Sequence, residues 1–483
     1  MSDIQDDSKS SKKNTLTKML DLTLQFVNCY IDKNANLYVM TNDTNKVIAV
    51  DSDEFSQYVL RIYREEYNEV VNKDSVKNII PHITDVAQSL PFSLHTRCNY
   101  YKDTVVIDLC DSRFIMISAD KIGYNVKLSI PLLKQSKTML PLPYPALDEQ
   151  PKQLPSLIMK HFNVDERQSR LLTIWLCSAF VSSISIPLLV ITGEKGSCKS
   201  SLAKGLKQLI DPTVDGATII AKTERDMAIM MNSQYLLNID NVSEGQISSV
   251  LSDLLSVSVT NGIYSTRKLY TDSTLTYMEL NTRIILNGIS DILLEKEDAL
   301  DRSMILHLKR LPEFKMKSQR QLVAAFEHDK PLILGAIFNG IHQALGIWND
   351  IQVTNISRLH DFVTFGCALA EVIGFGKERF LSDFKSIKKH INFQLLTSNP
   401  TAVCILTFME DKTEWSGTPT ELWNLCKVFA IDAGINAIDL PRSASTFSRK
   451  LMSLQSNLEK EGIFIKRCSG TNRKIILRKI NRE

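Results

Sequence analysis

Residues 187–200 read PLLVITGEKGSCKS. An apolar, β-favouring run from Leu188 to Thr192 leads into Gly193, Glu194, Lys195, Gly196, Ser197, Cys198, Lys199, Ser200 and Ser201, and a helical segment continues to Leu209. Strand, glycine-containing loop, helix is the order that phosphate binding demands. Successive backbone N–H groups and the positive end of a helix converge on one anion only when the chain turns sharply between the two elements. In this arrangement Lys199 reaches the β- and γ-phosphates of ATP, and the Ser200 hydroxyl ligates Mg²⁺. The second glycine of the GxxxxGK(S/T) pattern is Cys198 here, so a Cβ narrows the loop without blocking it. The competing reading is a Gly/Ser/Lys-rich turn before a helix. It leaves the spacing of Lys199 and Ser200 unexplained.

The flanking sequence supplies the rest of such a site. Forty-one residues beyond Lys199, a mostly apolar run from Tyr235 ends on Asp240. A carboxylate at that strand tip holds Mg²⁺ through water. The glutamate that commonly follows, to polarise an attacking water, is Asn241, which leaves the base unassigned; Glu244 is one candidate. A third run, Arg283 to Leu286, ends on Asn287-Gly288. Its amide can orient the water or touch the γ-phosphate, or simply cap a glycine turn. Further on, Asp301-Arg302 precedes an apolar strand from Met304 to Leu308. An arginine there can enter a neighbouring subunit's nucleotide site, or pair with Asp301 at the surface. Between Asp240 and Asn287, two β-favouring runs flank Thr271-Asp272-Ser273-Thr274, the pattern of a hairpin. Arg267 and Lys268, interleaved with tyrosines, suit the backbone of single-stranded DNA. A basic edge that guards a strand is the alternative.

The C-terminal end has its own charge. From 441 to 483 there are eleven Lys/Arg and three acids, a net +8 against +3 for all 483 residues. Thr418-Pro419-Thr420-Glu421 is a capping box with proline in the first turn. Phe447, Leu451, Leu454 and Leu458 lie on one helical face, with Ser445, Ser448, Arg449 and Met452 directed elsewhere. A strand, a Ser-Gly-Thr-Asn turn and a second strand follow. Helix, basic helix and basic hairpin form the pattern of a winged helix-turn-helix. Arg449, Lys450, Lys466, Arg467, Arg473 and Lys474 are then the duplex-DNA contacts. A solvated basic tail on a protein-binding winged helix is the alternative.

Composition bounds these readings. Apolar residues make up 44% and charged residues 23%, ordinary for a globular chain with real cores. Nine cysteines without a CxxC pair argue against a disulfide framework or zinc ribbon, and the scattered histidines form no metal motif. Leu171 to Thr192 is uncharged over 22 residues, but its serines and Pro187 favour a buried helix and strand over a membrane span. With no secretory h-region, the expected compartment is the cytoplasm, without a membrane partner.

Residues 1–14 read as a disordered tail and 15–138 as an α+β domain, helical over 15–32. Residues 139–155 form a Pro-rich linker, with five of the fifteen prolines. The ATPase core spans 156–317, a helical lid 318–399 and the winged helix 400–483. Asp108 and Asp111 are three apart rather than in the Asp-x-Asp spacing of a two-metal primase site, which favours a turn between strands.

The stretches ITGEKGSCKSSLAKGLKQLIDP, LLNIDNVS, YSTRKLYTD, RIILNGI and LDRSMILHLKRLPE, taken in order, resemble the AAA+ ATPases with a hairpin before the sensor-1 strand. These are the superfamily-3-like replicative helicases of phages, plasmids and mobile islands, among them the Rep and Cch types of staphylococcal islands and cassettes. The resemblance spans roughly residues 135–483. It implies an α/β P-loop core and a homo-oligomeric ring, a hexamer. It further implies shared ATP sites, with Lys199, Ser200, Asp240, Asn241 and Asn287 from one subunit and Arg302 from the next. Hairpins bearing Arg267 and Lys268 line the channel. Small residues at position 198 and Asn after the strand-tip Asp are compatible with that group.

The reading is an ATP-driven DNA helicase and replication initiator of a mobile genetic element, bound to its origin through the winged helix. The N-terminal domain is left open between assembly collar, double-strand contact and docking of other replication proteins. The rival is a non-helicase AAA+ regulator of transcription or phage defence, switched by ATP, which separates no strands. A thiol reagent is expected to block ATP hydrolysis through Cys198, with nucleotide protecting. Reaction of Cys198 without loss of activity would remove it from the phosphate loop.

Overall fold

The apolar runs between 185 and 312 form one parallel sheet. Its strands lie in the order Leu236–Val242, Arg283–Gly288, Leu188–Gly193, Ser303–Leu308. In this computed structural model residues 3–124, 128–243, 245–267, 275–288, 297–312, 318–354, 359–432, 439–468 and 474–480 are described. Leu188–Gly193 and Arg283–Gly288 are buried along their whole length, as strands covered on both faces require. The chain divides into two units, Met1–Asp383 and Phe384–Glu483.

The uncharged run 171–192 resolves as expected into a buried helix and a buried strand. Helix Glu166–Ala179 begins at a full capping box between Asp165 and Gln168. Trp175 Nε1 donates to Pro187 O at 2.8 Å and ties that helix to the strand. Helix Gln319–Ile347 follows the sheet; among the described residues one stretch, Arg320–Asp350, is long and apolar enough to cross a membrane. It packs as a core helix, with Ile333, Leu334, Ile337, Phe338 and Ile341 fully buried.

The N-terminal region differs from expectation at its start. The helix spans Asp3–Phe26, so residues 3–14 continue it rather than forming a disordered tail. The helix also ends sooner than 32: Val27–Ile31 is a strand, its aromatic and β-branched residues paired with Leu37–Thr41. Helices Asp53–Tyr67 and Lys73–Val86 pack with this sheet around Phe55, Val59, Ile79 and Ile83. An antiparallel meander follows: Cys98–Tyr101, Thr104–Asp108, Phe114–Ile117, Ile122–Tyr124. Asp108 caps the turn by accepting from Cys110 N at 2.7 Å.

A buried polar network joins this region to the parallel sheet. Arg97, fully buried, donates through Nε to Asp211 Oδ1 at 3.0 Å and through its other nitrogens to the carbonyls of Asp108, Leu140 and Pro212. Asp211 ends helix Lys199–Ile210; its Oδ2 accepts from Lys207 Nζ at 2.9 Å and from the backbone of Tyr235 and Leu236 at 3.1 Å. Burial pushes the Asp211 carboxyl up, but Lys207 and Arg97 outweigh it and hold it below the ordinary 3.8.

In the second unit, helix Pro400–Phe408, strand Glu414–Gly417 and helix Pro419–Asp432 precede helix Ala444–Ser453. Strands Ile463–Cys468 and Lys474–Lys479 form a hairpin, and 474–479 also pairs with 414–417. The capping box at Thr418 and Glu421 is made. The single helical face expected through Phe447, Leu451, Leu454 and Leu458 is split at Leu454, and Gln455–Lys460 forms a separate helix. Phe447, Leu451, Leu454 and Leu458 are nonetheless all buried. Ser448 is buried too, not outward-facing.

Replacing Asp211 with Ala leaves Arg97 and Lys207 as buried cations without their carboxylate. It is expected to cost about 3–5 kcal/mol in urea unfolding. The wild-type contribution of Asp211 is complete above pH 3.8 and is lost as pH falls below that value, so the difference between the two proteins narrows in acid.

Candidate nucleotide site and DNA-facing surfaces

Three strands deliver their functional residues to the same end of the sheet. In a parallel sheet the carboxyl ends of neighbouring strands lie side by side, and a crevice outside them is the natural ligand position. The phosphate loop leaves the strand Leu188–Gly193, Asn287 lies near the tip of the adjacent strand, and Asp240 lies near the tip of the next.

The loop backbone explains its glycines and its one exception. Gly193 has φ 139°, and a Cβ there would stand 2.3 Å from Leu308 O, so no side chain fits. Cys198 occupies the left-handed region at φ 65°, directly before helix Lys199–Ile210. That conformation is why the pattern ordinarily has glycine; cysteine holds it at a steric cost of roughly 1–2 kcal/mol. Ser197 is fully buried, and its hydroxyl donates to Glu194 O at 2.9 Å. Glu194, Lys195 and Gly196 are exposed at the loop crest, and Ser201 is exposed on the first turn of the helix.

Lys199 Nζ donates to Gly193 O at 2.6 Å and Glu194 O at 2.8 Å, so the ammonium lies folded along the loop. Burial pulls it below the usual lysine range, opposed by the Asp240 carboxylate. Asp240 Oδ1 accepts from Ser200 Oγ at 3.1 Å, Asn287 Nδ2 at 2.6 Å and Asn241 N at 2.9 Å. Asn287 Nδ2 also reaches Ser200 Oγ at 3.1 Å. A hydroxyl and a carboxylate this close match the donor set of a P-loop Mg²⁺, one binding directly and the other through water. The strand pairing slips between Ile239 and Val242, a bulge that contains Asp240 and Asn241. Asn241 sits at φ 59°, which Asn tolerates better than most residues, with its side chain exposed. The bulge re-aims Asp240 toward the loop.

Arg302 is not among these residues. Its carbonyl accepts from Leu188 N at 2.9 Å, so it lies at the opposite, amino end of the sheet, about 17 Å along the strand from Gly193. Its guanidinium donates to Ser256 O at 2.6 Å and pairs with Asp298 at 3.4 Å. Glu244 lies outside the described residues.

Two residues at the loop were missed in the sequence. Asn163 Nδ2 donates to Ser197 O at 3.1 Å and to Lys309 O at 2.7 Å, clamping the loop to the exit of strand Ser303–Leu308. Arg310, exposed, runs past Gly196, with Cγ and Nε each 3.9 Å from where a Cβ there would stand. The only sequence signal was a basic pair after an apolar strand; that this strand borders the loop is a tertiary fact.

The hairpin expected before Asn287 forms: Ile263–Arg267 pairs antiparallel with Leu275–Glu279. Arg267 is exposed at the end of the first strand, while Lys268 lies outside the described residues. In the second unit Arg449, Lys450, Lys466, Arg467 and Lys474 are all exposed, and Arg473 lies outside the described residues. Lys474 pairs with Cys468 in the register beside Arg467.

Residues 156–381 match the family model described as actinomycete integrative conjugative element replication protein, and residues 401–483 match that of the AICE RepA C-terminal domain. The chain thus carries, in order, two regions related to a mobile-element replication protein. No curated protein matches it. Among solved structures, the A-form apo C-terminal region of NrS-1 is similar at 11% identity, covering 95% of this chain and 98% of that one, with a TM-score of 0.45. A second apo structure of that region is similar at 11% identity over 95% and 97%, also with a TM-score of 0.45.

Cys198→Gly removes the steric cost of the left-handed residue. It is expected to raise unfolding stability by roughly 1 kcal/mol while nucleotide affinity is retained. Unchanged or lower stability would show that the thiol contributes packing that offsets the backbone cost.

Proposed function

We propose that the chain is an ATP-hydrolysing motor for DNA, a replicative helicase and initiator of its mobile element. The observation that carries this reading is the meeting of Lys199, Ser200, Asp240 and Asn287 at the carboxyl ends of three adjacent parallel strands. In it, the backbone from Glu194 to Ser200 cradles the phosphates of ATP, and Lys199 leaves its loop carbonyls for the β- and γ-oxygens. Ser200 and Asp240 hold Mg²⁺, which supplies positive charge at those oxygens. Asn287, already bonded to Asp240, orients the attacking water. Asn241 shapes the bulge that aims Asp240, and Arg310 adds a second cation beside the loop.

The strand order supports an AAA+ core, because a strand bearing a polar tip lies between the phosphate-loop strand and the Asp240 strand. Arg302, at the far end of the sheet from its own loop, is the finger offered to a neighbouring subunit in a ring, which requires it to leave Ser256 O. The hairpin with Arg267 and Lys268 contacts single-stranded DNA. The helix–strand–helix–helix–helix–hairpin order of 400–479 supports the winged-helix reading, in which the exposed Arg449, Lys450, Lys466, Arg467 and Lys474 engage the origin duplex.

Lys199→Ala is expected to abolish ATP hydrolysis and the unwinding of a forked duplex while origin binding in a gel-shift assay persists. Strand separation that continues without ATP hydrolysis would overturn the motor assignment. Wild-type protein that hydrolyses ATP and binds duplex but never separates strands would leave the regulator reading instead.

A further inference from the structure

The base of the hairpin meets the N-terminal region, and one carboxylate gathers most of the contacts. Glu279, the last residue of strand Leu275–Glu279, pairs in register with Ile263 where the hairpin leaves the body of the unit. Its Oε1 meets Lys33 Nζ at 2.8 Å and accepts from Ser93 Oγ at 3.1 Å and Asn34 Nδ2 at 3.3 Å. Asn34 Nδ2 also donates to Ser93 Oγ at 2.8 Å, so the three donors form one cluster. Two residues on, Asn281 Nδ2 lies 3.0 Å from His95 Nδ1. Two residues further begins strand Arg283–Gly288, which carries Asn287 to the nucleotide site.

Beyond this base the described strands of the hairpin carry exposed apolar side chains. Ile263, Leu275 and Tyr277 are each about half exposed (54%, 53% and 49%). Glu279 itself is only 17% exposed at its side chain. Burial raises its carboxyl, but the bonds from Lys33, Asn34 and Ser93 outweigh this and hold it below the ordinary glutamate range, so it is charged at neutral pH. The seam contains a polar-lined cavity of ≈ 160 Å³, bordered by Asp32, His95, Lys134 and Glu279. Polar contacts around a cavity exchange for water at little cost, whereas an interdigitated apolar seam would lock the two parts together.

We propose that Glu279 is a positioning residue through which the N-terminal region sets the hairpin's base and couples its angle to the strand bearing Asn287. This rests on the reading of the hairpin as a DNA contact. It gives residues 27–96 a specific task, control of the DNA-contacting element, that a separate assembly or docking domain would not have.

The test uses the full chain with Glu279→Ala, Glu279→Gln, and the exchange pair Lys33→Glu with Glu279→Lys. Three quantities are read: basal ATP hydrolysis, its stimulation by a poly-dT oligonucleotide, and amide hydrogen exchange in 263–267 and 275–279. Glu279→Ala is expected to keep basal hydrolysis, to speed hairpin exchange, and to lose stimulation by at least about fivefold, the lower end of ordinary coupling between sites. Glu279→Gln keeps the Ser93 and Asn34 contacts and loses the ion pair, so it falls between. The exchange pair restores both readouts toward wild type, which a merely misfolded variant would not do. Unchanged hairpin exchange in Glu279→Ala overturns the proposal, as does faster exchange with stimulation intact. If the wild-type protein is not stimulated by DNA, the motor reading fails, and the hydrogen exchange of the variants still judges whether Glu279 holds the hairpin.

Discussion

One oxygen organises the candidate nucleotide site. Asp240 Oδ1 accepts from the Ser200 hydroxyl, the Asn287 amide and the Asn241 backbone. Those donors come from the start of the phosphate-loop helix, the middle strand and the bulge itself. A carboxylate oxygen with three donors is fixed in orientation. Each donor is fixed in turn: Ser200 by the helix that follows the loop, Asn287 by a wholly buried strand, Asn241 by its left-handed backbone.

The departures from the usual motif have local backbone causes. Cysteine stands at a left-handed position that normally belongs to glycine, and asparagine follows Asp240 in another. In the second case the residue suits the conformation, since Asn tolerates positive φ where a glutamate would be strained. The absence of a glutamate after Asp240 is therefore explained by a bulge and is not by itself a sign of a dead site.

The N-terminal region is joined to the parallel sheet and to the hairpin at two points. Arg97 reaches into the far end of the phosphate-loop helix through Asp211, and Lys33, Ser93 and His95 reach the strand that leads to Asn287. The two contacts differ in kind. The Arg97–Asp211–Lys207 network is buried and multiply bonded, so it behaves as a fixed strut. The Glu279 cluster lies beside a polar cavity, with Lys33 partly exposed.

Much of the site was legible in the chain because its signals are local. The spacing of Lys199 and Ser200 after an apolar strand, and polar residues at the ends of the runs 236–239 and 283–286, depend only on neighbours in sequence. The basic excess after 441, the capping box at 418 and the buried face of Phe447, Leu451, Leu454 and Leu458 were legible for the same reason. Periodicity says which face of an element is buried, but not against what. Only the folded sheet put Asn287 between the loop and Asp240, set Arg302 at the opposite end from Gly193, and brought Arg310 and Asn163 to the loop. Only it buried Arg97, 114 residues from Asp211 in sequence. Strand order and long-range ion pairs are settled by which surfaces bury one another, and a linear pattern carries no record of that choice.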